Sequence, residues 1–227
     1  MRGKIVVLID VLRSCTTVAY ALLNGAEKII PASTVEAATK LMSSLDRGST
    51  LLCGEREGKK VTGFDLGNSP LEYTRAIVEG KTLVLASTNG TKLMAKGQNA
   101  QEQLLCSFVN VGSIVGRLKP EGSGPIVVCS GTNDQFSLED AVCAGMVISR
   151  LVEMFPGAWE LNDGAKAATS LLEKFGGDIY GMLHNSSHGR YLLSLGFGLD
   201  IEVCARTDSV QVLPILKEGR VTLSAVS

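Results

Sequence analysis

Aromatic side chains are scarce in this sequence, at 5% of 227 residues, which argues against the base-stacking surfaces of single-stranded nucleic-acid modules. An excess of one charge is also missing. With 22 Lys and Arg against 23 Asp and Glu, no global field draws the chain to DNA or an anionic membrane, and any anion site has to be local. No apolar run approaches the roughly 20 residues that span a bilayer. No charged-then-apolar leader precedes the first strand. The cysteines, Cys15, Cys53, Cys106, Cys129, Cys143 and Cys204, form no C-x-x-C pair and lack the dense spacing of a disulfide scaffold. They read as reduced, mostly buried thiols. These absences lead to a cytoplasmic protein with a small-molecule partner and neither nucleic acid nor membrane; a homo-oligomer is compatible with all of them.

Several familiar catalytic patterns are absent too. A cysteine phosphatase needs five residues between Cys and Arg, but that spacing reaches Ala21 from Cys15 and Gln135 from Cys129. The Asp-x-Asp pair of haloacid-dehalogenase enzymes fails because Leu12 follows Asp10 at that distance. There is no Gly-x4-Gly-Lys-Ser/Thr loop and no Gly-x-Ser-x-Gly elbow. His184 and His188 are four apart, but no glutamate follows His184 and Asn185-Ser186-Ser187 interrupts the helix, so a zinc site is not expected.

What is present is an alternation of strands and helices. Lys4–Ile9 is a continuous apolar run suited to a sheet covered on both faces, and Thr16–Asn24 follows as a helix stopped by Gly25. Lys28–Pro31, Thr50–Cys53, Thr82–Ala86, Leu104–Ser107 and Ile126–Cys129 read as further strands. Helices are expected over Thr34–Leu45, Val109–Leu118, Leu138–Phe155, Ala165–Phe175, Ile179–Asn185 and Ser187–Leu195. A terminal hairpin, Gln211–Leu216 with Arg220–Leu223, turns at Glu218-Gly219. The grammar predicts one α/β domain over residues 1–227, a three-layer α/β/α fold with a mainly parallel, mixed sheet to which the hairpin adds antiparallel strands.

The polar clusters sit where strands end. Asp10 at the close of the first strand can hold a divalent cation or act on phosphorus, Arg13 can grip an oxyanion, and Ser14, Thr16 and Thr17 can donate to phosphate oxygens. The plainer reading has Asp10 capping the helix and Arg13 pairing with it. Glu55 and Arg56 lead into Gly63–Pro70, where Asp65, Asn68 and Ser69 either fold over a phosphoester or make local turns. Thr88, Asn89, Gly90 and Thr91 after Ser87 resemble an anion nest, and equally a turn with a helix cap. Glu139 and Asp140 suit an acidic first helical turn or, beside the Ser130-Gly131 loop, a magnesium site. His188, with Arg190 as an anion contact, is the better histidine candidate.

Taken together, Asp10-Val11-Leu12-Arg13 with Thr16-Thr17, Gly54-Glu55-Arg56, Gly63-Phe64-Asp65-Leu66-Gly67-Asn68-Ser69-Pro70, Thr88-Asn89-Gly90-Thr91 and Phe136-Ser137-Leu138-Glu139-Asp140 strongly resemble the 2-phosphosulfolactate phosphatase family. Ser187-His188-Gly189, Asp200-Ile201 and Cys204 add later matches, so the resemblance covers nearly the whole chain. Against the family pattern, the chain starts almost at its first strand, short of a common leading segment. The resemblance implies a Mg²⁺-dependent phosphomonoesterase that converts 2-phosphosulfolactate, or a related small acidic phosphoester, to sulfolactate and phosphate, a step of coenzyme M biosynthesis.

Joined with the reading of the residues, it would have Asp10 hold Mg²⁺ with Glu139 or Asp140. Arg13 and the Thr88–Thr91 nest would fix the phosphoryl group, with Asn68, Ser69, Ser130 and Gly131 completing the substrate site. Arg56 and Arg190 would meet the second acidic group. Glu55 or Asp65 would orient water or complete the metal shell, and His188 would protonate the leaving alkoxide. Two other classes stay open on the residues alone: a phosphoryl or nucleotidyl transferase, and a non-catalytic phosphometabolite-binding protein.

Overall fold

The computed structural model of the chain describes residues 1, 3–87, 93–94, 100–121 and 124–224. Its strands are β1 (Ile5–Ile9), β2 (Lys28–Pro31), β3 (Thr50–Arg56), β4 (Lys59–Lys60), β5 (Thr82–Ala86), β6 (Glu102–Cys106), β7 (Ile126–Cys129), β8 (Pro214–Lys217) and β9 (Arg220–Leu223). The helices are α1 (Ser14–Leu23), α2 (Val35–Met42), α3 (Arg75–Val78), α4 (Val111–Arg117), α5 (Leu138–Met154), α6 (Asp163–Phe175), α7 (Ile179–Asn185), α8 (Ser187–Ser194) and α9 (Gly198–Cys204). Caps fall where the sequence puts them: Thr34 accepts from the Ala37 N–H and Ser137 from the Asp140 N–H.

The layers follow from the two-residue period of β1. Val7 and Ile9 enter one core with Val111, Ile114, Val142 and Val147 of α4 and α5, while Val6 and Leu8 enter another with Cys15, Val18 and Leu22 of α1. All four strand residues are fully buried, each contributing about 1.5–3 kcal/mol of apolar transfer. Trimming one, as in Leu8→Ala, would cost about 2–5 kcal/mol because neighbours on both sides cannot close the void.

The sheet is a finding that corrects the expectation of a mainly parallel arrangement. Its order is β4-β3-β5-β2-β9-β8-β6-β1-β7, and four of the eight neighbouring pairs are antiparallel. The terminal hairpin lies mid-sheet, pairing β9 with β2 and β8 with β6. It thereby joins two parallel blocks, β3-β5-β2 and β6-β1-β7, that run in opposite senses along the ladder. Leu216 and Val221 fill the gap on the α1 side against the core that holds Ile29 and Leu105. The ends of the blocks nevertheless meet, since Ser14 after β1 donates to Ser87 after β5 at 3.2 Å.

Candidate active site

The site grows from the end of β1. Asp10 is buried, and its Oδ1 accepts the Ser14 N–H at 3.1 Å in the first turn of α1. Asp140, at the start of α5, braces two loops: its Oδ1 accepts from the Val11 N–H at 2.9 Å and its Oδ2 from the Gly131 N–H at 3.1 Å. Gly131 is required there, because its φ is +74° and a Cβ would come within 2.5 Å of the Gln135 carbonyl oxygen. Glu139, equally buried, lies near the Ser137 and Ser186 hydroxyls and 3.8 Å from His188 Nδ1. Burial raises the pKa of Asp10 to about 6 against the hydrogen bond from Ser14 and the nearby Ser130 hydroxyl, and the charge of Glu55 adds to the rise. Burial pushes Asp140 well above the carboxylate range, with Asp10 and Glu139 adding to it, and burial also raises Glu139.

Arg13 is held on several sides. Nη1 donates to Asp200 Oδ2 at 2.6 Å, Nη2 to the Gly58 carbonyl at 2.7 Å, and the guanidinium carbon lies 4.2 Å from the Phe197 ring centroid. The other Asp200 oxygen accepts from the Ser69 hydroxyl at 2.7 Å. Arg13 therefore pairs with Asp200 and not with Asp10. Glu55 closes the β3–β4 turn by accepting the Gly58 N–H at 2.8 Å, so the turn that holds Arg13 is itself held by a site acid.

The structure changes several roles expected from the sequence. Thr16 donates to the Val11 carbonyl and Thr17 to the Asn68 carbonyl, both at 2.8 Å, so neither hydroxyl keeps a proton for phosphate. Ser69 donates its proton to Asp200. Asp65 accepts the Leu52 N–H at 2.7 Å and stands 3.8 Å from Arg47, which ties its loop to β3 and accounts for it without water positioning. Arg56 is exposed and faces Glu36; Arg190 is exposed and donates to the Asn185 carbonyl. Among the described contacts, neither arginine joins the cluster. His188 Nδ1 lies 3.2 Å from Thr132 Oγ1, and burial together with the Arg13 charge pushes its pKa down to about 4. A neutral imidazole at pH 7 is a weak proton donor to an alkoxide, so an acid role for His188 would require it to gain a proton as the phosphoester enters. Thr88, Asn89, Gly90 and Thr91 lie outside the described residues.

What the structure does bring together is Asp10, Ser14, Asn68, Ser130, Glu139 and Asp140, with Arg13 beside them. Two oxygens here, Asn68 Oδ1 and Ser130 Oγ, are buried without a hydrogen bond of ordinary geometry among the described residues, although Ser130 is close enough to lower the Asp10 pKa. Among those residues no three His, Cys, Asp or Glu side chains form a ready metal cage. Magnesium does not need one, since it commonly takes one or two carboxylates and completes its shell with water and phosphate oxygens. A cavity of about 940 Å³ between β7, α5 and α6 borders the cluster at Ser130 and Gly131. Its further walls include the apolar Ile148, Leu151 and Trp159 and the ionisable Lys4, Asp134 and Glu160. Sequence reasoning missed Asp200 as a site residue; its match to the family pattern was the available signal.

A buried, acid-rich cluster with a braced arginine, set at the strand ends of a three-layer α/β fold, defines an α/β enzyme. A family model described as 2-phosphosulpholactate phosphatase matches residues 1–219. The chain is 37% identical over 224 residues to a "Probable 2-phosphosulfolactate phosphatase" of Caldanaerobacter subterraneus, covering 99% of this chain and 92% of that protein. Proteins of the same name from Thermotoga petrophila and Carboxydothermus hydrogenoformans are 41% and 42% identical, covering 94% and 98% of this chain and 89% and 91% of theirs. The chain belongs to the 2-phosphosulfolactate phosphatase family, and with it to the phosphoric monoester hydrolases.

Proposed function

We propose that this chain hydrolyses 2-phosphosulfolactate, or a closely related small acidic phosphoester, to the 2-hydroxy acid and phosphate, with Mg²⁺ as cofactor. The observation that carries the metal is the charge balance of the site. Asp10, Glu139 and Asp140 are buried together, and among the described residues the arginine beside them is already paired with Asp200. A phosphate dianion entering that cluster needs a cation to offset the repulsion. Asp10 with Glu139 or Asp140 would hold the ion, and the orphaned Asn68 Oδ1 and Ser130 Oγ suit a hard cation or its water shell. Bound there, Mg²⁺ supplies Lewis-acid stabilisation of charge on the phosphoryl oxygens.

The chain's own groups do the rest. The N–H groups of Arg13 that face neither Asp200 nor Gly58 bind the phosphoryl oxygens, and the raised carboxyls hold or release a proton near neutral pH. The sulfonate comes from the family name, the place in coenzyme M biosynthesis is what the resemblance implies, and six free cysteines suit the reducing cytoplasm. Phosphate release from 2-phosphosulfolactate, phospholactate and neutral phosphomonoesters, with Mg²⁺ and with excess chelator, tests the reading. Turnover of the doubly anionic substrates that chelator abolishes and Mg²⁺ restores is expected. Full turnover in chelator would remove the metal from the proposal, and phosphoryl transfer to an added alcohol or nucleotide in preference to water would make the protein a transferase.

A further inference from the structure

We propose that Asp200 is a positioning residue for the hydrolytic step, acting through Arg13; this rests on the reading of the site as a phosphomonoesterase. A buried ion pair is weak grounds for stability, because apolar residues of the same volume usually stabilise a fold as well or better. Arg13 and Asp200 are only 3% and 2% exposed and are 187 positions apart in the chain. Their pairing therefore calls for an explanation beyond stability. Asp10, Glu55, Glu139 and Asp140 all bring carboxyl oxygens to the neighbouring cluster. A guanidinium without a fixed partner would turn to one of them and withdraw an acid from the cation site. Asp200 prevents that collapse, and Ser69 fixes the Asp200 carboxylate from its other oxygen.

The geometry also prepares Arg13 for an oxyanion. Five N–H donors lie in the guanidinium plane; one on Nη1 meets Asp200 and one on Nη2 meets Gly58, which leaves three. Phe197 covers one flat face and limits rotation out of that plane. An arginine held this way reaches the phosphoryl group without ordering its side chain during the reaction, and that orientation acts on turnover more than on ground-state binding.

The test measures phosphate release by the full chain with Mg²⁺ for wild type, Asp200→Asn, Ser69→Ala, Arg13→Gln and the Arg13→Gln/Asp200→Asn double variant. Asp200→Asn keeps shape and hydrogen-bonding capacity but removes the charge. Its kcat should fall about ten- to a hundredfold while KM moves less than about threefold, since lost orientation and gained positive charge act oppositely on substrate binding. In the Arg13→Gln background the same change should cost less than about twofold, because the residue acts through the arginine. A merely structural partner would lower the thermal midpoint, leave kcat per folded molecule unchanged and act equally in both backgrounds. Either normal kcat in folded Asp200→Asn or additive losses would overturn the assignment. If Asp200→Asn fails to fold, Ser69→Ala decides: it keeps the ion pair and should lower kcat about three- to tenfold with KM unchanged, and normal kcat there would overturn the assignment as well. A wild type inactive on every phosphomonoester would bring down the phosphatase reading and this role with it, whereas an active wild type with a normal Asp200→Asn removes only this role.

Discussion

Asp10 and Arg13 stand three residues apart on one loop, yet the regions they anchor are built in opposite ways. Around Arg13 the charge is matched and the side chain is held: a counter-charge, a carbonyl and an aromatic face fix the guanidinium, and Ser69 holds the counter-charge. Around Asp10 the matching is unfinished. Burial raises all three acids, the charges of Asp10 and Glu139 add to the rise of Asp140, and two buried oxygens lack a hydrogen-bond partner among the described residues. A region complete without ligand contributes orientation, and one incomplete without ligand contributes affinity for what is missing. Placing them side by side lets a rigid arginine and a cation-seeking cluster act on one phosphate.

The comparison breaks most clearly on stability, where substitutions in the two regions should have opposite signs. Arg13→Ala strands the Asp200 carboxylate in the interior and should destabilise the fold by about 3–5 kcal/mol. Asp10→Asn removes a buried charge that neighbouring acids repel, and in chelator it should stabilise by about 1–2 kcal/mol. Both should lower turnover, by about 10²–10³-fold for a lost electrostatic contact at the phosphoryl group. Denaturant unfolding in chelator, paired with phosphate-release assays, checks both. A destabilised Asp10→Asn would mean that the Asp10 region is as satisfied as its neighbour.

The parts of this contrast that were legible in the sequence are local. An apolar run ending in Asp10-Val11-Leu12-Arg13 identifies a buried strand delivering polar groups, and Ser137 followed by Glu139-Asp140 identifies a helix start. Legibility ended where partners are distant in sequence. Thr16 and Thr17 look like phosphate donors until the fold turns them to the Val11 and Asn68 carbonyls, and Asp65 looks like a site acid until it meets the Leu52 N–H. The hairpin was visible by its turn, but its place between β2 and β6 depends on ladders with strands more than a hundred residues away. No periodicity encodes such pairings.

A smaller effect sharpens the comparison through pH. The folded Asp10 pKa of about 6 lies above its ordinary value of 3.8, so its carboxyl carries no penalty below the unfolded value and stability is lost as pH rises through about 6. His188 runs the other way: its folded value of about 4 lies below the ordinary 6.5, so its contribution is whole above 6.5 and is lost as pH falls through about 4. In chelator, the stability advantage of Asp10→Asn over wild type should therefore grow between pH 4 and 6 and level off by about 7, by no more than roughly 3 kcal/mol. His188 titrates in both proteins and cancels from the difference. Calorimetry across that range checks it, and a difference independent of pH would mean that Asp10 titrates alike in the folded and unfolded chains.

The smallest expected effect belongs to the outer arginines, and it tests whether recognition extends beyond the two regions. Arg56 faces Glu36 and Arg190 donates to the Asn185 carbonyl at the end of α7; both are exposed. Exposed groups of this kind contribute little, because solvent screens them and holding a long side chain costs entropy. If Arg13 and the bound cation supply the anion recognition, Arg56→Ala and Arg190→Ala should each change kcat/KM for 2-phosphosulfolactate less than about threefold. They should act equally on a neutral phosphomonoester. A selective tenfold rise in KM for the doubly anionic substrate in either variant would show that the arginine leaves its present partner to bind the second acid, and the site would then extend past the cluster that Asp10 and Arg13 define.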